Sequence, residues 1–168
     1  SNRLDASVGR IAVQAAAGGV FVSDSIALVV DTIEPVSINR VEVLGSTAVV
    51  SDTFTVTGAV TASGGGKVVL NTLTGDLTVS QTVVAHGAGN ILLVAANDMF
   101  VHAAVQSTSG NITLKAGQSI TQEAAGDVST GDGTIDVAAT NGSISMLDGA
   151  VSSTQDRNIR YLALLDIR

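Results

Sequence analysis

Apolar and polar positions alternate along most of the chain, and the alternation returns at a regular interval. A five-residue pattern of Gly, any residue, Ile or Val, any residue, and Val or Leu occurs at 9–13, 66–70, 89–93, 110–114 and 133–137. It returns without its Gly at 157–161, and only the first interval is markedly longer than the others. The remaining period of about 21 to 24 residues is typical of repeats that stack on one another.

Each interval contains three alternating segments, which predicts three short strands per turn of chain. The second segment follows soon after the first, as at 75–79, 98–101 and 142–146. The third lies near Ile26, Val83, Val105, Val128 and Val151. Strands of four to six residues with their turns account for about 21 to 24 residues. Helical spacing is not sustained anywhere over about 11 residues, so the pattern predicts an all-β parallel β-helix, or β-solenoid, without helices.

Stacked turns place equivalent residues above one another, so the core is predicted as columns of like side chains. One turn cannot bury its own apolar face, and successive turns must therefore stack. The intervening residues of each strand face outward because strand side chains alternate. The first predicted inward column contains Ile11, Val68, Ile91, Ile112, Ile135 and Ile159. The second contains Val13, Leu70, Leu93, Leu114, Val137 and Tyr161.

We interpret residues 1–168 as a single solenoid unit. Its predicted turns are 9–31, 66–88, 89–109, 110–132 and 133–156, with one turn and an insertion at 32–65. Alternation on both sides of Gly45 predicts that the insertion is a β-hairpin over 32–57, which leaves the winding. Two complete turns with long loops are the alternative for this stretch.

The two ends of the chain predict self-association. The last repeat stops in its second strand, and the segment Leu4-Asp5-Ala6 resembles a third strand. Residues 157–168 of one copy and 1–8 of another are therefore predicted to complete one turn, in a tandem array or by docking. An arbitrary boundary is the alternative. The predicted junction residues are Arg3, Leu4, Asp5, Arg160, Tyr161, Leu165, Asp166, Ile167 and Arg168.

Charge and composition narrow the classes of partner. The formal net charge is −7 with only eight Lys and Arg residues, so we expect no nucleic-acid partner. The chain has no apolar run of the 18 or so residues that a membrane helix needs, and we expect no membrane insertion. Without Cys it has neither a disulfide framework nor a thiolate zinc site. Hydrophobic residues make up 45% of the chain, which argues against disorder.

Residue types that carry chemistry are sparse, so we expect no enzyme, no metal and no cofactor. His86 and His102 are well separated in the sequence and lack the spacing of metal ligands. The nearest acidic cluster is Asp127, Asp132 and Asp136, in a stretch rich in turn residues. Aspartates in such positions usually accept hydrogen bonds from nearby backbone amides.

The repeat also resembles a known family. The run GNITLKAGQSIT at 110–121, followed by GDVST at 126–130 and GTIDV at 133–137, resembles the turns of filamentous-haemagglutinin-type exoproteins. The segment RNIRYLA at 157–163 is similar to repeats of giant bacterial surface proteins. The resemblance implies a right-handed parallel β-helix that is secreted or displayed by a bacterium. It implies no shared catalytic residues.

These observations together predict a structural protein. We expect a β-solenoid repeat unit of an extracellular or cell-surface filament, stalk or giant adhesin, with other copies of itself as the main partner. A carbohydrate or host-surface ligand is a second expected partner class. The alternative function is a polysaccharide-binding or polysaccharide-cleaving β-helix.

Overall fold

Parallel strand pairing from turn to turn organises the chain into a β-solenoid of about six turns. The structure, a computed structural model, describes residues 3–51, 55–61 and 64–168. Residues 1–2, which belong to the predicted segment 1–8, and 52–54 and 62–63, which belong to 32–65, lie outside the described residues. The described residues contain no helix, so the predicted all-β, parallel, stacked fold is confirmed.

Three parallel sheets form the walls, and a turn contributes one strand to each. With strands numbered in chain order, the first sheet contains β1 (Leu4–Ala6), β4 (Val20–Asp24), β11 (Val68–Thr72), β14 (Ile91–Ala95), β17 (Ile112–Ala116), β20 (Ile135–Ala139) and β23 (Ile159–Ala163). The second contains β2 (Arg10–Ile11), β5 (Leu28–Val30), β12 (Leu77–Val79), β15 (Met99–Val101), β18 (Ile120–Gln122) and β21 (Ile144–Met146). The third contains β3 (Val13–Ala15), β10 (Ala59–Thr61), β13 (Val83–Ala85), β16 (Val105–Ser107), β19 (Val128–Thr130) and β22 (Ser152–Ser153).

The core consists of columns of like side chains. In the first sheet, equivalent residues pair in register through Val68, Ile91, Ile112, Ile135 and Ile159. The first four of these are buried, and Ile159 packs partly buried against the core. Five of the six residues of the predicted column therefore lie where the periodicity places them.

The prediction for Ile11 is wrong. Ile11 lies in the second sheet opposite Val30, and the first-sheet column begins instead at Val20. The five-residue pattern occurs twice near the start of the chain, at 9–13 and at 18–22, and only the second occurrence leads into a five-residue strand. Residues 9–13 instead supply two short strands on different walls, because the chain turns between β2 and β3.

Three other predicted positions near the start also differ from the structure. Leu4–Ala6 lies in the first sheet, not the third, so this segment begins a turn instead of completing one. Val13, predicted in the second inward column, lies in the third sheet, and the predicted turn 9–31 contains four strands, β2 to β5. Ile26, predicted near a third strand, lies in the bend between β4 and β5 with an exposed side chain.

The hairpin predicted over 32–57 is confirmed. Its base is the antiparallel pair β6 (Thr32–Ile33) and β9 (Val56–Thr57), and its arm is the antiparallel pair β7 (Ser37–Val41) and β8 (Thr47–Ser51). Gly45 closes the tip with a φ of 80°, and its N–H donates to the Glu42 carbonyl over 2.9 Å. The Gly58 N–H donates to the Asp31 carbonyl over 3.2 Å, so the chain leaves and re-enters the winding at one point.

Polar ladders run along the corners between the sheets. In the longest, a side-chain oxygen accepts a hydrogen bond from the backbone N–H of the equivalent residue one turn later. The side chain of Asp76 accepts from the N–H of Asp98 (3.1 Å), and the side chain of Asp98 accepts from the N–H of Ser119 (2.8 Å). The side chain of Ser119 accepts from the N–H of Ser143 (3.2 Å), and that of Ser143 accepts from the N–H of Asp166 (3.3 Å). Because every bond joins equivalent positions in neighbouring turns, the ladder holds the turns in register and satisfies corner amides.

Glycines stack in a column where neighbouring turns approach most closely. A Cβ added at Gly89, Gly110 or Gly133 would clash with the carbonyl oxygen of the glycine one turn earlier. None of these three glycines has a positive φ, so close approach and not backbone conformation requires them. The repeated Gly of the sequence pattern therefore marks turn-to-turn contact.

Substitution within the glycine column tests this explanation. We expect Gly110→Ala to lower the free energy of unfolding by about 1–3 kcal/mol, because a backbone carbonyl must move to admit the methyl group. Gly18→Ala is the matched control, since nothing lies within 4 Å of a Cβ placed there. Urea unfolding followed by circular dichroism measures both. Equal losses in the two variants would contradict the close-approach explanation.

A second pair of variants tests the assignment of inward and outward faces. Leu92 and Leu93 are neighbours on β14, with Leu93 fully buried and Leu92 half-buried on the outer face. We expect Leu93→Ala to cost about 2–5 kcal/mol of unfolding free energy, because it leaves a cavity in a packed column. Leu92→Ala should cost less than half as much. A reversed order in urea unfolding would mean that the strand register is wrong.

Candidate functional site

The described chain leaves an open sheet edge at its last turn. β23 pairs with β20 on one side only, and its inward residues Ile159, Tyr161 and Ala163 are only partly buried. Beyond β23, the side chains of Leu165 and Ile167 are 67% and 53% exposed. The backbone of Ile167 bridges to Ile144 and so adds a second-sheet position to the last turn. The end of the stack therefore presents unpaired backbone groups and apolar side chains together.

The first described turn leaves the opposite edge open. β1 pairs with β4 alone, and Leu4 is 59% exposed. Leu4 lies in register with Val22, and so occupies the column that ends at Tyr161 in the last turn. The structure thus places the predicted junction residues at opposite ends of one molecule, with Leu4 and Tyr161 on one column of the first sheet and Ile167 on the second sheet.

The three arginines among the predicted junction residues are paired within the chain. Arg160 donates from Nε and Nη2 to the two carboxylate oxygens of Asp136, each over 2.8 Å. These hydrogen bonds, with the charge of Asp136, raise the pKa of Arg160 above its ordinary value. Arg3 donates to Asp5 over 2.8 Å, and Arg168 lies 3.8 Å from Asp166. Each of these arginines therefore already has a carboxylate partner within its own chain.

The candidate acidic cluster does not converge on one point. Asp127 accepts the backbone N–H of Val151 over 3.0 Å, and Asp132 accepts hydrogen bonds from Arg157. The third member, Asp136, is held by Arg160 as described above. Each carboxylate therefore has a separate partner one turn further along the chain. Within the described ranges, no three His, Cys, Asp or Glu side chains are grouped as a metal site would require.

The two histidines lie on different walls. His102 follows β15, where its Nε2 is 3.7 Å from Glu123 Oε1 and its ring meets the edge of Phe100 with the centroids 6.2 Å apart. His86 follows β13, on the third wall, and its side chain is exposed. The structure therefore does not bring the two rings together as ligands of one metal. The expectations of no enzyme activity and no cofactor stay predictions.

An open groove of about 500 Å³ lies on the outer face of the first sheet near its last strand. Lys115 brings positive charge to it, Arg160 is paired there with Asp136, and Leu162 and Leu164 add apolar surface. The groove therefore combines an ammonium group, an ion pair and apolar surface. The predicted carbohydrate or host-surface partner and the polysaccharide alternative stay predictions.

Sequence reasoning missed a set of hydroxyl residues that shape the turns. Ser107 Oγ donates to the Gly89 carbonyl over 2.7 Å and accepts the Gly110 N–H over 2.9 Å. Thr130 Oγ1 does the same one turn later, between the carbonyl of Gly110 and the N–H of Gly133. The available signal was a Ser or Thr shortly before both of these pattern glycines, at a spacing that suits a local side-chain hydrogen bond.

Comparison with known proteins found no matching family model, no matching curated protein and no matching solved structure. The resemblance to filamentous-haemagglutinin-type turns is thus supported as far as the solenoid fold and no further. Among the described residues, no helix has the length and apolar character that crossing a bilayer requires.

Proposed function

We propose that the protein is a structural β-solenoid segment of a bacterial extracellular filament, stalk or giant adhesin, which associates end to end through its first and last turns. The single observation that carries the proposal is the pair of open sheet edges on equivalent columns. Both edges combine unpaired strand backbone with exposed apolar side chains, which is the combination that promotes edge-to-edge pairing. The extracellular setting is supported by the sequence resemblance.

The core columns of the first sheet define the strand register in which two copies would pair. If the core columns continue, Leu4 of a second copy stacks on Tyr161, and Asp5 of the second copy lies beside Leu162. Parallel pairing then continues the first sheet across the junction, as it does between any two turns. The association is head to tail and repeats indefinitely, because each copy keeps one free edge of each kind.

Backbone pairing and apolar stacking, not charge pairing, hold this junction. In register, Arg160 lies beside Arg3 of the second copy, because Arg3 precedes Leu4 just as Arg160 precedes Tyr161. The two like charges are each matched by a carboxylate of their own chain, Asp136 and Asp5. Exposed pairs of this kind contribute only about 0–1 kcal/mol.

The winding order adds a requirement for a covalent array. The chain passes through the first, second and third sheets in turn, and the last described turn reaches the second sheet at Ile167. β1 lies in the first sheet. An uninterrupted tandem array therefore needs one further third-sheet strand between Arg168 of one unit and Leu4 of the next.

Mixed cross-linking tests the head-to-tail register. Asp5→Cys and Leu162→Cys place outward thiols on adjacent strands of the junction, about 4.8 Å apart, which is within the range of a disulfide. We expect disulfide-linked pairs when the two variants are mixed and mildly oxidised, and few in either variant alone. Asp5→Cys mixed with Leu44→Cys, at the distant hairpin tip, measures random collision. Equal yields in both mixtures would refute the junction.

A charge at the open edge should shorten the assemblies. We expect Ile167→Lys to reduce fibres or higher oligomers in electron micrographs and in sedimentation velocity, because a cation must be desolvated against the next copy. Leu44→Lys is the control, since Leu44 is also exposed but lies at the hairpin tip. Unchanged assembly in Ile167→Lys, or a wild-type chain that stays dispersed, would contradict the proposal.

A further inference from the structure

The hairpin arm carries more exposed apolar surface than the hairpin itself can bury. Val43 and Leu44 at the tip are 100% and 95% exposed, and Val41 and Val49 on the two strands are each 70% exposed. In the described residues β7 and β8 form a sheet of only two strands. A two-stranded hairpin is marginally stable in water, and stability rises when further strands are added.

The hydrogen-bond pattern shows which backbone groups are directed away from the hairpin. The Glu42 N–H donates to the Ser46 carbonyl over 2.7 Å, so these two residues form a hydrogen-bonded pair. Bonded and non-bonded pairs alternate along an antiparallel ladder. The pair of Asn39 with Val49 is therefore non-bonded, as is the pair of Ser37 with Ser51, whose hydroxyls approach to 2.8 Å.

It follows that one edge of β8 is open to another strand. In non-bonded pairs the N–H and C=O groups are directed away from the partner strand. On β8 these groups belong to Thr47, Val49 and Ser51. Within the described residues β8 has β7 as its only ladder partner.

The two edges of the hairpin differ in their protection. β7 contains Arg40 and is flanked by Pro35, Glu34 and Glu42, and charges and proline on an edge oppose pairing with other chains. β8 reads Thr-Ala-Val-Val-Ser and contains neither charge nor proline, and the one charged residue next to it in the sequence is Asp52. The β8 edge is therefore the less protected of the two.

We propose that β8 pairs antiparallel with β8 of a second copy, about a two-fold axis at Val49. The strand is self-complementary: Val49 meets Val49 of the second copy, Thr47 meets Ser51 of the second copy, and Ala48 meets Val50 of the second copy. Thr47, Val49 and Ser51 then exchange backbone hydrogen bonds across the axis. The two hairpins become one four-stranded sheet with no like charges directly opposed.

This contact joins solenoids side to side and does not depend on the end-to-end function. The two-fold contact closes on itself as a dimer, whereas the head-to-tail junction continues. The occupant is a second copy of the chain because the edge matches its own sequence read in the opposite direction. Together, the two contacts would link one filament to another.

The chain has no native Cys, so single cysteines test the symmetry directly. Across the axis, the Val49 Cα atoms lie about 5.5 Å apart, which allows a disulfide. Thr47 is displaced along the strand from its own symmetry mate, about 13 Å away. We expect Val49→Cys to form a disulfide-linked dimer on mild oxidation and Thr47→Cys alone to form little. Mixing Thr47→Cys with Ser51→Cys should restore the cross-link.

Sedimentation velocity separates this contact from the junction. We expect Val49→Lys to weaken dimer formation by roughly tenfold, because two ammonium groups would face each other across the axis. Val49→Thr, which keeps a β-branched side chain, should leave the dimer intact. Ile167→Lys should shorten fibres without removing the dimer. The proposal is overturned if Val49→Cys cross-links no more than Thr47→Cys, or if Ile167→Lys and not Val49→Lys abolishes the dimer.

Discussion

Register between neighbouring turns is the constraint on which the rest of the structure depends. Strands of successive turns lie about 4.8 Å apart, so each residue meets its equivalent in the turn before and after. Large apolar residues must then fall on large apolar residues, as Leu70, Leu93 and Leu114 do, and glycine must fall where backbones nearly touch. A misfit in one turn is transmitted to two neighbours, which explains why the repeat pattern is so regular.

The sequence was sufficient to predict the winding because every turn repeats the same alternation of buried and exposed residues. The columns through Val68 to Ile159 and the hairpin over 32–57 follow from spacing and alternation alone. The start of the chain could not be assigned in this way, since the five-residue pattern at 9–13 satisfies the spacing as well as the true one at 18–22. The choice between them depends on which pattern pairs with Val68, and that contact joins positions far apart in the sequence.

Prediction of the candidate junction was less complete for a related reason. Apolar residues at the two ends could be identified from the sequence, and the structure places two of them, Leu4 and Tyr161, on one column. The partners of the arginines could not be read from neighbouring residues, because Arg160 finds Asp136 one full turn earlier. The winding converts a contact that is distant in the sequence into a nearest-neighbour contact. Charge pairs in such a fold are therefore predictable only once the register is known.

The hydrogen bond from the Gly58 N–H to the Asp31 carbonyl, at the base of the hairpin, joins the two points where the chain leaves and re-enters the winding. An insertion at that corner can therefore be accommodated by the fold. Because the chain leaves and returns at one point, the turns on either side contact the same backbone that a tight turn would present there. The inserted segment can therefore change in length or sequence during evolution without altering the residues of the core columns. In a fibre, the same corner would recur in every unit and display its insert at regular intervals along the surface.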